Sequence, residues 1–343
     1  MKRKPRLVIL NPTCLEVLEA HRTQLDALEL DWRGEPGFCA LRESDVDSAL
    51  QGADALILPA SIRDLPRAEQ MRRHASLKVL SIAASGYDWL DVGAATENGI
   101  VVTNAPVKEG VEVVADMTWA LLLAVARQIP HYHERICAGN YERGMGVAVW
   151  RKTLGIVGLG NIGRAVAQRA AGFEMRLVAT EPQPDTAFVA AHGIQLLPLE
   201  MLLRESDFVS LHVRLDAGTQ GMIGRRELAL MKPGAFLINA ARQQLVNEAA
   251  LAEAILGGRL AGAGLDDPPS RRDTPLRGHP NVVFAPHHGN RAIEGVHAVF
   301  RCAIDNAIAV LCGRRPEWVV NPAVYAKPFR ASMEHWTLPH ENP

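Results

Sequence analysis

Three groups of residues carry types and spacings suited to chemistry. Gly158-Leu159-Gly160-Asn161-Ile162-Gly163 is a GxGxxG run that follows the apolar stretch Thr153–Val157 and opens the helical pattern Arg164–Ala171. In that setting Gly158 permits a tight turn, Gly160 leaves room for a pyrophosphate, and Gly163 lets helix pack on strand. The helix start offers free N–H groups and partial positive charge to phosphates. Glu181 lies 18 residues past the last glycine, at the end of the next strand pattern. A carboxylate there accepts hydrogen bonds from ribose hydroxyls and repels a 2′-phosphate, so NAD is expected over NADP. The third group is Arg242 with His287, each placed just after a strand pattern. Hydride transfer to a 2-keto acid needs an acid/base, a cation for the carboxylate and carbonyl, and a carboxylate supporting the base.

The elements that must position these groups alternate. Arg6–Asn11, Ala55–Leu58, Lys78–Ile82 and Ile100–Val102 read as strands, with helices over Arg67–His74 and Asp91–Glu97. A long helix is expected over Val111–Gln128, stopped by Pro130, and then a looser segment, Ile129–Trp150. A second strand series follows: Thr153–Val157, Arg176–Thr180, Phe208–His212, Phe236–Asn239, Gly262–Asp266 and Val282–Ala285. Strand–helix alternation predicts an α/β protein with parallel sheets. The last helix, near Ala292–Cys312, sets Val296, Phe300, Ile304, Ile308 and Leu311 on one stripe. Two lobes are expected, residues 1–107 with 296–343 and residues 108–295.

Composition excludes other classes. The 343 residues are 48% hydrophobic and 22% charged, with a net charge of −1, which leaves no electrostatic footprint for nucleic acid or an anionic membrane. No apolar run is long enough to span a bilayer, and the apolar stretch behind the basic N-terminus is too short for a signal peptide. Five cysteines without a CxxC pair predict a reducing, cytoplasmic setting with no structural zinc. His131 and His133 have the spacing of a metal pair, but no third ligand stands near them in sequence, and no metal is expected. Trp119, Leu121, Leu122, Leu123 and Val125 make the long helix apolar all round, and the segment after it, with His131, Tyr132 and Tyr141, can reach over a partner, which together predict a homodimer.

Many short motifs in order carry a family resemblance: Gly86-Tyr87-Asp88, Ala94–Pro106, Val114-Ala115-Asp116, Gly155–Gly163, Leu211-His212, Lys232–Ala235, Asn239–Arg242, Leu265-Asp266 and Pro286-His287. From about residue 78 to 315 the chain resembles the D-2-hydroxyacid dehydrogenases. The resemblance implies a NAD-binding Rossmann domain and a discontinuous flavodoxin-like substrate domain, usually in a dimer. It implies that Arg242 clamps the substrate carboxylate and keto oxygen and that His287 is the general acid/base. It places Asp266 by the nicotinamide carboxamide, and His212 and Ala240 along the cofactor. Asn161 and Ile162 fall in the phosphate loop with Gly158, Gly160 and Gly163. Backbone N–H groups of Ala84-Ser85-Gly86 are implied for the substrate carboxylate. The expected reaction interconverts a 2-keto acid and a D-2-hydroxy acid with NADH.

The pattern also breaks. The family places a Glu five residues after the position of Asp266, where this chain has Arg271 in a shortened segment. The partner of His287 is therefore missing or displaced, with Asp267 and Asp273 as the carboxylates at hand. Were neither to reach it, reduction would be confined to more acid pH. Gln243 and Gln244 replace a glycine and its neighbour, Val213 stands for a proline, and Asn290-Arg291 replaces a small pair. Two other functions stay open on this footing: an NAD(H)-binding sensor or corepressor with little catalysis, and a dehydrogenase for a different small anion such as formate or phosphite.

Overall fold

The computed structural model describes residues 3–10, 15–28, 30–35, 43–59, 66–267 and 273–326. The chain forms two compact units, 1–110 with 293–343 and 111–292.

The first unit holds five strands, β1 (Arg6–Leu10), β2 (Asp31–Glu35), β3 (Ala55–Pro59), β4 (Val79–Ala83) and β5 (Val101–Thr103), in the parallel order β2-β1-β3-β4-β5. That is the flavodoxin-like order. Strand side chains alternate between faces. Leu7 and Ile9 accordingly join Ile57 and Val79 beneath the C-terminal helix Ile293–Leu311. Val8 and Leu10 join Leu56, Leu80 and Ile82 beneath helices Glu43–Leu50, Ala68–Arg73 and Val92–Glu97. Phe300, Ile304, Ile308 and Leu311 of the expected stripe are buried on the sheet, with Val296 half-buried.

The second unit holds β6 (Thr153–Val157), β7 (Arg176–Thr180), β8 (Gln195–Leu196), β9 (Phe208–Leu211), β10 (Ala235–Asn239), β11 (Leu260–Leu265) and β12 (Val282–Phe284). Their parallel order is β12-β11-β10-β9-β6-β7-β8, so the topology reverses between β6 and β9, where doubly wound sheets bind ligands. Leu154, Ile156, Phe236 and Ile238 face one core, and Val209, Leu211 and Leu237 face the other.

Some expectations need correction. The long helix runs over Lys108–Ala126, and Ile129–Cys137 is a second helix rather than loose chain. Gln128 turns left-handed at φ 54°, and Pro130 stands in the first turn of the new helix, where its missing N–H costs nothing. The segment beyond is tied down: Arg135 pairs with Glu142 at 2.6 Å, and Val147 N–H donates to Ala126 O at 2.7 Å. Trp119, Leu121, Leu122 and Val125 are buried within their own unit, Trp119 stacking on Phe173 at 4.8 Å. The apolar character of that helix is thus satisfied inside one chain and does not itself call for a partner.

The stretch after the C-terminal helix is anchored by Asn321, which is 4% exposed. Its Oδ1 accepts from Val102 N–H at 2.7 Å, and its Nδ2 donates to Ile100 O at 2.9 Å and Thr96 Oγ1 at 3.0 Å. Removing it strands buried backbone groups of β5. Asn321→Ala is expected to cost about 1–3 kcal/mol, read as a lower midpoint of urea unfolding.

Candidate functional site

The glycine loop leaves β6 through Gly158 at φ +93°, a left-handed conformation open to glycine. A Cβ at Gly158 would lie 2.8 Å from the carbonyl of His212, and one at Gly163 would lie 2.1 Å from Gly158 O. A Cβ on Gly160 would meet nothing within 4 Å, so the loop is open on that side. Asn161 and Ile162 begin the ten-residue helix Asn161–Ala170, whose first N–H groups lack intrahelical partners.

Glu181, just past β7, turns its carboxylate onto this loop. Oε2 accepts from Leu159 N–H at 2.9 Å and Oε1 from Gln183 N–H at 3.2 Å. Arg164, on the helix the glycines open, is paired with Asp185 at 2.8 Å and donates to Asn161 Oδ1. His212, at the end of β9, holds the loop by donating its N–H to Val157 O at 2.7 Å. Its Nε2 lies 2.8 Å from Ser210 Oγ, and loss of hydration pushes the imidazole down to about 4. At neutral pH that ring is uncharged, so it adds no cation beside a phosphate.

The second cluster forms where β10, β11 and β12 end. Asn239, the last residue of β10, shapes the next turn: Oδ1 accepts from Ala241 N–H at 3.0 Å and Nδ2 donates to Arg242 O at 2.8 Å. Ala240 and Arg242 are half-buried, and one Arg242 Nη donates to Ala241 O at 2.8 Å. Asp266 follows β11 and donates its N–H to Asn239 O at 2.8 Å. Its carboxylate, 4% exposed, accepts from the N–H groups of His288 at 2.7 Å and Gly289 at 2.6 Å. Burial pushes this carboxyl up, and the two N–H groups oppose the shift. His287, beyond β12, is held left-handed at φ 58°, a strained conformation for a side-chain-bearing residue that the two Asp266 bonds fix.

The carboxylate in question is present. Asp267 Oδ1 lies 2.9 Å from His287 Nδ1, and Oδ2 accepts from Gln243 N–H at 2.9 Å. The partner of His287 is displaced to the residue beside Asp266, which removes the ground for expecting reduction to be confined to acid pH. Asp273 is exposed, and Arg271 and Arg272 lie outside the described residues. Gln243, in place of glycine, donates its side-chain amide to Glu248 at 2.8 Å. Sequence reasoning left Asp267 as one of two candidates and did not single out Asn239. The visible signal was the pair of adjacent aspartates at a strand end.

Arg242, Asp266 and His287 thus share one network in the second unit. Ala84-Ser85-Gly86 belongs to the first unit, at the end of β4, where Ala84 O accepts from Ala105 N–H and Ser85 O from Asn104 Nδ2. His133 Nε2 lies 3.8 Å from Cys137 Sγ, and no group of three metal-ligating side chains occurs among the described residues.

Residues 119–289 match the model of the D-isomer specific 2-hydroxyacid dehydrogenase NAD binding domain. A glyoxylate reductase of Korarchaeum cryptofilum is 39% identical over 286 residues, covering 80% of this chain and 85% of that protein. The chain belongs to the D-isomer specific 2-hydroxyacid dehydrogenase family. A glyoxylate/hydroxypyruvate reductase B of Pectobacterium carotovorum is 41% identical over 257 residues, 72% of this chain and 80% of that protein. Among solved structures, a glyoxylate reductase of Paecilomyes thermophila superposes with a TM-score of 0.79 at 27% identity, covering 93% of this chain and 99% of that one.

The chain is an NAD-dependent oxidoreductase that interconverts 2-keto and 2-hydroxy acids. The residues fit the cofactor. The open face at Gly160, the ten-residue helix behind it and the carboxylate held at the loop edge suit a pyrophosphate and an unmodified ribose. Because Arg164 is committed to Asp185 and Glu181 is anionic, NADH should be preferred over NADPH. Glu181→Ala is expected to weaken NADH and narrow that preference by about tenfold, the worth of one charged hydrogen bond. The ratio of kcat/KM for the two cofactors checks it, and parity in the unmutated enzyme would contradict it.

Proposed function

We propose that the chain reduces a small 2-keto acid of the glyoxylate or hydroxypyruvate type to the D-2-hydroxy acid. The observation that carries the reading is the His287–Asp267 pair on the loop edge that also bears Arg242. With Nδ1 engaged by Asp267, His287 presents Nε2 to the reacting oxygen. Protonated, it hands its proton to the oxygen as the carbonyl is reduced. Arg242 grips the substrate carboxylate with its planar fork and stabilises charge on the carbonyl oxygen. NADH, when bound, supplies the hydride. Unit 111–292 is assigned to the cofactor, with Gly158, Gly160, Asn161, Ile162, Gly163, Glu181, His212, Ala240 and Asp266 around it. Unit 1–110 with 293–343 is assigned to the substrate, with the N–H groups of Ala84-Ser85-Gly86 for its carboxylate. The missing carboxylate was what favoured a sensor with little catalysis, and Asp267 removes that support. The names of the relatives favour glyoxylate and hydroxypyruvate over formate or phosphite.

A cytoplasmic setting fits the cysteines Cys137, Cys302 and Cys312, none of which is in a disulfide. No helix among the described residues is long and apolar enough to cross a membrane.

NADH oxidation with glyoxylate, hydroxypyruvate, pyruvate and bulkier keto acids tests the substrate class. The two smallest polar acids should give the highest kcat/KM. Arg242→Lys should lose roughly a hundredfold in kcat/KM while NADH fluorescence titration stays unchanged. Collapse of both together would make Arg242 structural.

We also propose a homodimer, resting on the segment after the long helix. Exposed apolar side chains concentrate in one stretch of the second unit: Ile129, Ile136, Tyr141, Met145 and Trp150, with Met145 94% exposed. A monomer gains nothing by wetting so many in sequence. Light scattering should give about twice the 37.4 kDa chain mass. Met145→Glu with Tyr141→Glu should shift the particle toward the single-chain mass.

A further inference from the structure

We propose that Asp267 is a positioning residue whose two carboxylate oxygens do separate work, one orienting the proton donor and the other fixing the loop that carries the substrate-gripping arginine. The proposal deepens the functional reading above and rests on its assignment of His287 and Arg242.

The geometry is specific. Oδ1 takes His287 Nδ1 at 2.9 Å, and Oδ2 takes the N–H of Gln243, the residue directly after Arg242, at 2.9 Å. The Asp267 side chain is 8% exposed, so water competes weakly for either oxygen. Leu265, Val246, Leu251, Leu276 and Phe284 line the cavity beside it, an apolar wall that strengthens charge-assisted bonds. A buried carboxylate is retained only where hydrogen bonds compensate its lost hydration.

Neighbouring contacts make the two bonds informative rather than incidental. The backbone of His287 is already set by Asp266, which holds the next two N–H groups. What remains free is the rotation and tautomer of the ring, and Oδ1 determines both. The Arg242 turn is closed on its near side by Asn239, through Ala241 N–H and Arg242 O. Its far side is fixed by Oδ2, and by the Gln243 amide on Glu248. A carboxylate here also answers the altered pattern. With the partner moved next to Asp266, a short side chain reaches both groups, and the loop that would carry a more distant glutamate is dispensable.

Two substitutions separate the functions. Asp267→Asn keeps an oxygen for Gln243 but removes the charge and can present an N–H to the ring, favouring the wrong tautomer. It should lower reductive kcat by about 10²–10⁴-fold, with KM for the keto acid changed by less than about threefold. Asp267→Ala removes the acceptor from both groups. Beyond the effect of the Asn variant, it should raise KM for the keto acid by about tenfold. Asp267→Glu should recover at least about tenfold over the Asn variant.

The experiment measures kcat, KM and NADH affinity for these variants beside the parent and His287→Asn, using the best keto acid of the panel. The split described, with NADH affinity kept, supports the proposal. If His287→Asn is inactive but Asp267→Asn keeps kcat within threefold of the parent, the proposal falls and the functional reading stands. If Asp267→Asn loses NADH binding, or if Asp267→Asn raises KM as much as Asp267→Ala does, Asp267 is merely structural and the proposal falls. A parent that reduces no keto acid overturns the functional reading first.

Discussion

Everything along the strand ends of the second unit depends on one constraint: seven strands run parallel, so all their C-terminal ends lie along one side of the sheet. Parallel ladders bury both faces, which leaves apolar side chains along the strands and lets polar ones appear where each strand stops. Asn239, Asp266, Glu181 and His212 all occupy such stops. The backbone bond from Asp266 N–H to Asn239 O continues the ladder by one step beyond β10 and β11 and thereby brings the arginine turn beside the aspartates. No loop needs to be long to assemble the site, because the register has already placed its ends together.

Charge is handled in two ways along that edge. Beside the glycine loop, Arg164 is paired with Asp185 and His212 is uncharged because its ring is dehydrated. Positive potential there comes from backbone N–H groups at a helix start, which suit a diphosphate without attracting a third phosphate. Where β10, β11 and β12 end, anions are buried and receive N–H donors. Asp266 holds two backbone amides, and Asp267 holds one amide and a ring nitrogen. Buried carboxylates that receive several donors are rigid, and rigidity is what a proton donor aimed at one oxygen requires.

Much of this was legible in the residues, and the exceptions have physical reasons. Strands such as Thr153–Val157 were evident because a buried parallel strand is a short, nearly continuous apolar run. Asp31–Glu35 was not, since Asp-Trp-Arg-Gly-Glu carries no such pattern and pairs only with β1 at the sheet edge. Pro130 misled because a proline that ends one helix and one that begins the next look alike in sequence; only the left-handed Gln128 tells them apart. Arg242 and His287 were found through their position after strands and through the family motifs. Asp267 could not be chosen over Asp273, because a shortened loop has no periodicity from which to read where its side chains point.

The first unit is assembled from two separate stretches of the chain, and the helix Ile293–Leu311 covers one face of its sheet together with the helix Leu15–Ala27. The second unit is continuous in sequence. During synthesis residues 111–292 are complete while the face formed by Leu7, Ile9, Ile57 and Val79 still lacks the part of its cover that Ile293–Leu311 provides. That face waits, partly exposed, for chain almost two hundred residues further on, the kind of distant closure that slows folding and invites association. The order of the polypeptide therefore makes unit 111–292 the earlier structure, and the other unit is finished only by the helix Ile293–Leu311.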